Sequence, residues 1–265
     1  MRGPAQAPAA IRAMLVSAHG NSAAESGLEA GVDFYLDDHG DVALADTLAA
    51  TVRDDTAISA AVTAAIQSGA MPLILGGDHA ISTPVVAALA AAHGPLTILH
   101  FDAHPDLYDD FEGDPRSHAS PFARIMEAGH AKRLVQVGIR TMNRHCRDQV
   151  ARFGVEAIEM RHFTVDAVPV LDGPLYISID MDGIEPAFAP GVSHPEPGGL
   201  SVRDVLAVLD KQAAPLVGAD VVELNPARDI NGLTANLAAK LVKELAALHT
   251  RNGKFVCSAK NSASA

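Results

Sequence analysis

Leu96-Thr-Ile-Leu-His-Phe-Asp-Ala-His-Pro-Asp-Leu-Tyr108 decides the reading of this chain. A short apolar run of β-type residues ends in Asp102, His104 and Asp106, three metal-capable side chains two residues apart. Strand side chains alternate faces, so positions i, i+2 and i+4 converge on one side if the extended backbone continues to Asp106. Pro105 has no N–H for a ladder and limits that run, which places the cluster at the strand's carboxyl end. Open α/β sheets bind ligands there.

Working outward, strands and helices alternate. Before the run, residues 1–45 read as loop with a short helix near Ala9–Leu15, and helical spacing covers Asp46–Gln67. A buried strand at Pro72–Leu75 ends in Gly76-Gly77-Asp78-His79, and Ser82 or Thr83 caps a helix from Pro84 to Ala92. After the run come helix Pro121–Ala128, strand Leu134–Ile139, helix His145–Phe153 and strand Val155–Met160. Then follow strand Leu175–Ile179, a long Pro/Gly-rich loop, helix Ser201–Ala213, strand Leu216–Leu224, helix Thr234–His249 and a polar tail from about residue 250. The alternation predicts an α/β fold, a three-layer αβα arrangement whose mostly parallel sheet is covered on both faces. No linker or internal repeat divides the 265 residues, which are read as a single domain.

Composition excludes more than it selects. The chain is 48% hydrophobic and 20% charged, as globular proteins are, and has no apolar run near the ~18 residues of a membrane helix. A formal charge of -12 repels polyanions and argues against nucleic acid or an anionic membrane as partner. Cys146 and Cys257 lie far apart without metal-type spacing, which fits a reducing compartment and packing or surface roles. No apolar signal-peptide core opens the chain, and the expected location is the cytoplasm.

His79, the 102–106 cluster, Asp180 with Asp182, and Glu223 all follow or end a predicted strand, so a parallel sheet gathers them at one edge. His79, Asp102, His104, Asp106, Asp180 and Asp182 form an oxygen-rich set without thiolate. It suits manganese first, with iron, cobalt or nickel next and zinc behind. Four carboxylates cannot stay ionised together in a cleft without cations. Two divalent ions would balance them, roughly 3.5 to 4 Å apart, with a bridging water ionised near neutral pH as nucleophile. Taken singly, each group has a plainer reading: an aspartate after a strand serves as cap or turn residue, and His79 as a loop histidine. The weight lies in the combination. His19, His39, His93, His130, His145, His162 and His249 are read as surface or ordinary core residues. His100, taken to point away from Asp102, is read as a satisfied core histidine.

Gly-Gly-Asp-His at 76–79, Asp-Ala-His-Pro-Asp at 102–106, Ser-His-Ala-Ser at 117–120, Ser-Ile-Asp-Met-Asp at 178–182, Pro-Ala-Phe-Ala-Pro-Gly at 186–191 and Val-Glu-Leu-Asn-Pro at 222–226 resemble the ureohydrolase family of arginases and agmatinases. The resemblance runs from about Gly3 to Leu248. It is strongest to plant-type arginases through the runs at 108–113, 117–127 and 191–201. It implies an arginase-like fold and a binuclear manganese site, two Mn2+ per chain, with His79 and Asp106 on one ion, His104 and Asp182 on the other, and Asp102 and Asp180 bridging. By the same resemblance His118 matches a proton-shuttling histidine, and Glu223 matches the carboxylate that pairs with the substrate guanidinium. A carboxylate suits a planar guanidinium, and a histidine titrating near neutrality can protonate a leaving amine. A homo-oligomer, trimer or hexamer, is also implied.

Two departures accompany the resemblance. Glu185-Pro186 stands where the family usually reads Asp-Pro; the extra methylene is expected to shift the loop while keeping a carboxylate. The family's first strand, which precedes the segment resembling Gly3-Pro4, is absent, and its loss is expected to leave neighbouring backbone groups needing partners, through an upstream start or a shortened protein. The resemblance favours hydrolysis of L-arginine to L-ornithine and urea. Tyr108, Arg116, Ser117, Asn143 and His194 are candidates for holding the small guanidino substrate, with Glu196 near the mouth. Arg116 or backbone N–H groups would receive an α-carboxylate, but Asp109, Asp110, Glu112 and Asp114 make the loop acidic, so agmatine or guanidinobutyrate are the near alternatives. Further off stand a non-catalytic metal-binding regulatory homologue and a metal-dependent deacetylase.

Overall fold

The computed structural model describes residues 3–18, 20–45 and 47–262, and His19 lies outside them. Among the described residues, six strands form one all-parallel sheet: β1 Leu73–Leu75, β2 Leu96–Phe101, β3 Ala131–Ile139, β4 Glu156–Glu159, β5 Leu175–Asp180 and β6 Leu216–Val222, in the order β1-β6-β5-β2-β3-β4. Strands β2 and β5 are buried at every position, as central strands of a two-sided parallel sheet should be.

Among the described residues, seven α-helices cover the two faces. Helices α1 Ala7–Leu15, α6 Val202–Lys211 and α7 Leu233–Ser262 pack against Leu99, Phe101, Ile177, Ile179 and Val221. Helices α2 Thr51–Gln67, α3 Ser82–His93, α4 Pro121–Glu127 and α5 Arg144–Phe153 pack against Ile98, Leu134 and Tyr176 on the other side. The three-layer αβα arrangement read from the sequence is the observed one.

Local chemistry sets the helix ends. Ser201 and Asp204 form a reciprocal capping box on α6, contributing about 1 kcal/mol. Asn143 caps α5 through Cys146 N–H, and Gly154 ends it in the left-handed conformation. Helix α3 differs from expectation. It begins at Ser82 with Ile81 in the capping position, which has no side-chain acceptor to offer, while the Ser82 hydroxyl donates to buried Asp220 at 2.5 Å. Nor is residue 250 onward a polar tail: α7 continues to Ser262.

Strand β1 is short and lies at one edge, and among the described residues no strand pairs with its outer side. A groove of about 1550 Å³ runs beside it, lined by Leu15, Phe34, Ile58, Val62 and Leu75 and reaching His118 and Glu223.

At the other end of the ladder, β3 kinks at Gly138 (φ +102°), where the pairing with β4 shifts register. A Cβ there would sit 2.8 Å from the carbonyl oxygen of Asp102. Gly138→Ala is therefore expected to destabilise the fold by about 2 kcal/mol or more through strain and overlap. A thermal melt equal to the wild type's would contradict this account.

Candidate metal centre and substrate cleft

Four strand ends build the site, and they are neighbours in the sheet: β1, β6, β5 and β2. Past β1, Asp78 caps a short 3-10 turn that carries His79. Asp180 closes β5 and accepts from Asp182 N–H at 2.8 Å, which folds the chain back so that both carboxylates face the same place. Glu223 follows β6 and donates its N–H to Gly77 O at 3.0 Å, tying two strand ends together.

The Asp102–Asp106 segment reaches this geometry differently from expectation. Strand β2 stops at Phe101, and Asp106 has a left-handed backbone with φ +50°, so a turn rather than strand alternation brings the third ligand in. Phe122 N–H bonds the Asp106 carbonyl at 3.1 Å and locks that turn to the start of α4.

Among the described residues three groups of donor atoms are drawn within 4.8 Å; one joins His79, His100 and Asp102, and the two that hold the predicted set are His79, Asp102, Asp106 and Asp180, and Asp102, His104 and Asp182. Asp102 belongs to both, so all six predicted residues are brought together around a shared carboxylate. His79 Nδ1 lies 3.0 Å from Asp106, 3.2 Å from Asp180 and 3.4 Å from Asp102. His104 Nδ1 lies 3.3 Å from Asp182 and 3.4 Å from Asp102. His79 Nδ1 is buried without a hydrogen-bond partner, which is the state of a nitrogen aimed at a cation among carboxylates. The residues present fit a divalent ion.

The protonation pattern agrees. Burial opposes charge on His104, yet Asp102 and Asp182 outweigh it and push its pKa up to about 12; the carboxylates around buried His79 likewise hold it well above the ordinary value. Burial, then the Asp102 charge, raises Asp182 to about 6, and burial with Asp182 raises Asp180 well above its usual range. Protons thus sit where cations would. Each of these groups binds protons more tightly in the metal-free fold than when unfolded, so metal must displace them. Apparent manganese affinity is expected to rise between pH 6 and 9, about tenfold per pH unit for each proton released. Calorimetry at stepped pH in buffers of different ionisation heat checks this; a flat profile would refute it.

Sequence reasoning missed two contributors. His100 lies on the same side of β2 as Asp102, two residues on, and its Nε2 donates to Asp102 at 2.8 Å while Nδ1 meets Gln136 at 3.1 Å. The i, i+2 rule that placed the aspartates should have placed His100 with them. Arg140 was not singled out either. Its guanidinium donates to the carbonyls of Gly138, Asp182, Gly183 and Glu196, pinning the rim loop to the metal turn. No spacing signals bonds from one side chain to three carbonyls more than 40 residues away. Glu185 braces the same loop by accepting from Gly198 and Gly199 N–H at 2.7 Å each, so the longer side chain retains a structural carboxylate.

Of the remaining predicted residues, the groove's lining takes in His118, His194 and Glu223 and leaves out Tyr108, Arg116, Ser117 and Asn143. Asp78 lines it as well. His118 and His194 stack with ring centroids 5.3 Å apart, and His194 meets His104 edge-on at 6.4 Å. Tyr108 accepts from Asn143 at 2.5 Å and stacks on His145, making those residues a pair. Ser117 accepts from Ala119 N–H at 3.3 Å. Arg116 is paired with Asp55 of α2, so its charge is already matched. The acidity of that loop is partly spent internally: Asp109 meets Gln149 and Arg152, and Asp114 accepts from Arg116 N–H.

Residues 1–247 match the family described as Arginase family. The chain belongs to the arginase family. It is 52% identical over 261 residues to "Arginase 1, mitochondrial" of Arabidopsis thaliana, covering 93% of this chain and 76% of that one. It is 39% identical over 197 residues to "Agmatinase, mitochondrial" of Gallus gallus, covering 68% and 57%. The solved arginase from Medicago truncatula superposes with a TM-score of 0.85 at 43% identity, covering 94% of this chain and 82% of that one. Members of the arginase family are metal-dependent hydrolases of small guanidino compounds, and this chain is such a hydrolase. The expected cytoplasmic location is overturned: plant relatives at 48 to 52% identity are named mitochondrial or chloroplastic/mitochondrial. Cysteine usage could not separate these compartments, since it reports redox state alone.

Proposed function

We propose that this chain hydrolyses L-arginine to L-ornithine and urea at a centre of two manganese ions held by His79, Asp102, His104, Asp106, Asp180 and Asp182. The observation that carries the reading is the position of Glu223. It is a buried carboxylate with a left-handed backbone (φ +63°), tied to the metal-capable set by His79 N–H at 3.0 Å, and it lines one groove with His118. Burial, then the charge of Asp78, raises its pKa to about 8, so an approaching guanidinium cation meets a group that gains by becoming a carboxylate. When bound, the two ions supply the positive charge that lets a water ionise near neutral pH.

The protein's own part is binding and proton handling. Glu223 accepts two N–H groups of the guanidinium and fixes its plane. His118, half-buried at the cleft wall, is placed to give a proton to the departing amine, and His194 stacked on it limits its tilt. The arginine reading draws support from the plant arginases at about 50% identity, against 39% over a shorter span for an agmatinase. An oxygen-rich set with two imidazoles favours manganese. The trimer or hexamer implied by the resemblance forms part of the proposal, and sedimentation of the purified protein tests it.

Urea released from arginine, agmatine and 4-guanidinobutyrate at saturating manganese decides the substrate. Arginine is expected to lead, and no urea from arginine would sink the arginase reading. Glu223→Gln keeps the shape and loses the charge. It is expected to lower kcat/KM by about a hundredfold or more, largely through KM. His118→Asn should lower kcat by roughly 10² to 10⁴ while leaving metal binding intact.

A further inference from the structure

Beneath the cluster a row of fully buried polar side chains crosses four strands in register: Gln136 on β3, His100 on β2, Ser178 on β5 and Asp220 on β6. Asp220 has no cation beside it. Three hydroxyls point into its carboxylate instead: Ser178 at 2.6 Å on one oxygen, and Ser82 at 2.5 Å with Tyr176 on the other. A carboxylate with both oxygens occupied this way can only accept. Ser178 has one proton and gives it to Asp220, so only its lone pairs remain for His79 Nε2, 2.8 Å away. The hydrogen in that contact belongs to the ring.

We infer that Asp220, acting through Ser178, fixes which nitrogen of His79 is offered to the metal, and is thus a positioning residue of the centre. The inference rests on the metal reading above. With Nε2–H held by Ser178, the nitrogen left free in the neutral ring is Nδ1, the buried, unpartnered atom that faces Asp102, Asp106 and Asp180. Outer partners of this kind set the tautomer and orientation of metal-bound histidines.

Asp220→Asn keeps the shape and reverses one end's polarity. Where the amide NH2 meets Ser178, the serine hydroxyl turns and donates to Nε2, the ring hydrogen moves to Nδ1, and the metal-facing lone pair is lost. Ser178→Ala cuts the link while leaving Asp220 two donors, and Ser178→Thr restores the hydroxyl. The test is a Mn2+ titration of metal-free protein followed through the electron paramagnetic resonance signal of the free ion, with a thermal melt of each variant. The wild type is expected to take up two ions per chain. D220N and S178A should lose roughly 10- to 100-fold in affinity for one of them, with S178T close to wild type. Two ions bound at wild-type affinity by D220N and S178A would overturn the inference, as would equal loss in S178A and S178T, which would make packing the cause. If D220N does not fold, the S178A and S178T pair decides. A wild type that takes up no manganese would overturn the metal reading itself, and the inference with it.

Discussion

Four carboxylates and two imidazoles held within a few ångströms, almost all out of water, act on one another strongly. Everything else in this chain can be read as the means of holding such a set together. A parallel sheet is suited to it because every strand delivers its carboxyl end to the same edge, and four adjacent strands deliver here. In the metal-free protein the tension shows as displaced protons: His104 keeps one to about pH 12, and Asp182 is held to about 6. Metal ions would relieve the same tension with less strain on each group.

Support comes from below and from the rim. Below, the Gln136–His100 contact and the Ser178–Asp220 bond hold the carboxylate and the imidazole from inside the sheet, where no water competes. At the rim, Arg140 uses its fork of donors on backbone carbonyls rather than on a carboxylate. Burial lowers its pKa, and the nearby Asp182 and Asp102 charges work in the opposite direction. Its charge therefore helps to balance the centre without occupying a ligand position.

The element order and the ligand set were legible because they rest on periodicity and on short-range spacing. Strand 96–101 and helix 121–127 fall where the pattern puts them, and the six metal-capable residues are those that end strands. What escaped was tertiary. No local rule shows that Ser82 will serve Asp220, 138 residues away, instead of capping its own helix. Nor does any rule show that Asp106 will turn left-handed, or that Arg116 will be consumed by Asp55 of a preceding helix. The reading of His100 failed differently: the period-two rule was available and was applied to the wrong face. Location was beyond composition, because organelle and cytosol can share a reducing chemistry.

The left-handed backbones of Asp106 and Glu223 have a further meaning for the protein's history. Such a conformation costs about 1 to 3 kcal/mol in a residue with a side chain, and glycine would adopt it freely. At both positions the relaxed choice for the fold is therefore the one that deletes the carboxylate. Drift toward a more robust chain and retention of chemistry pull in opposite directions at these two residues.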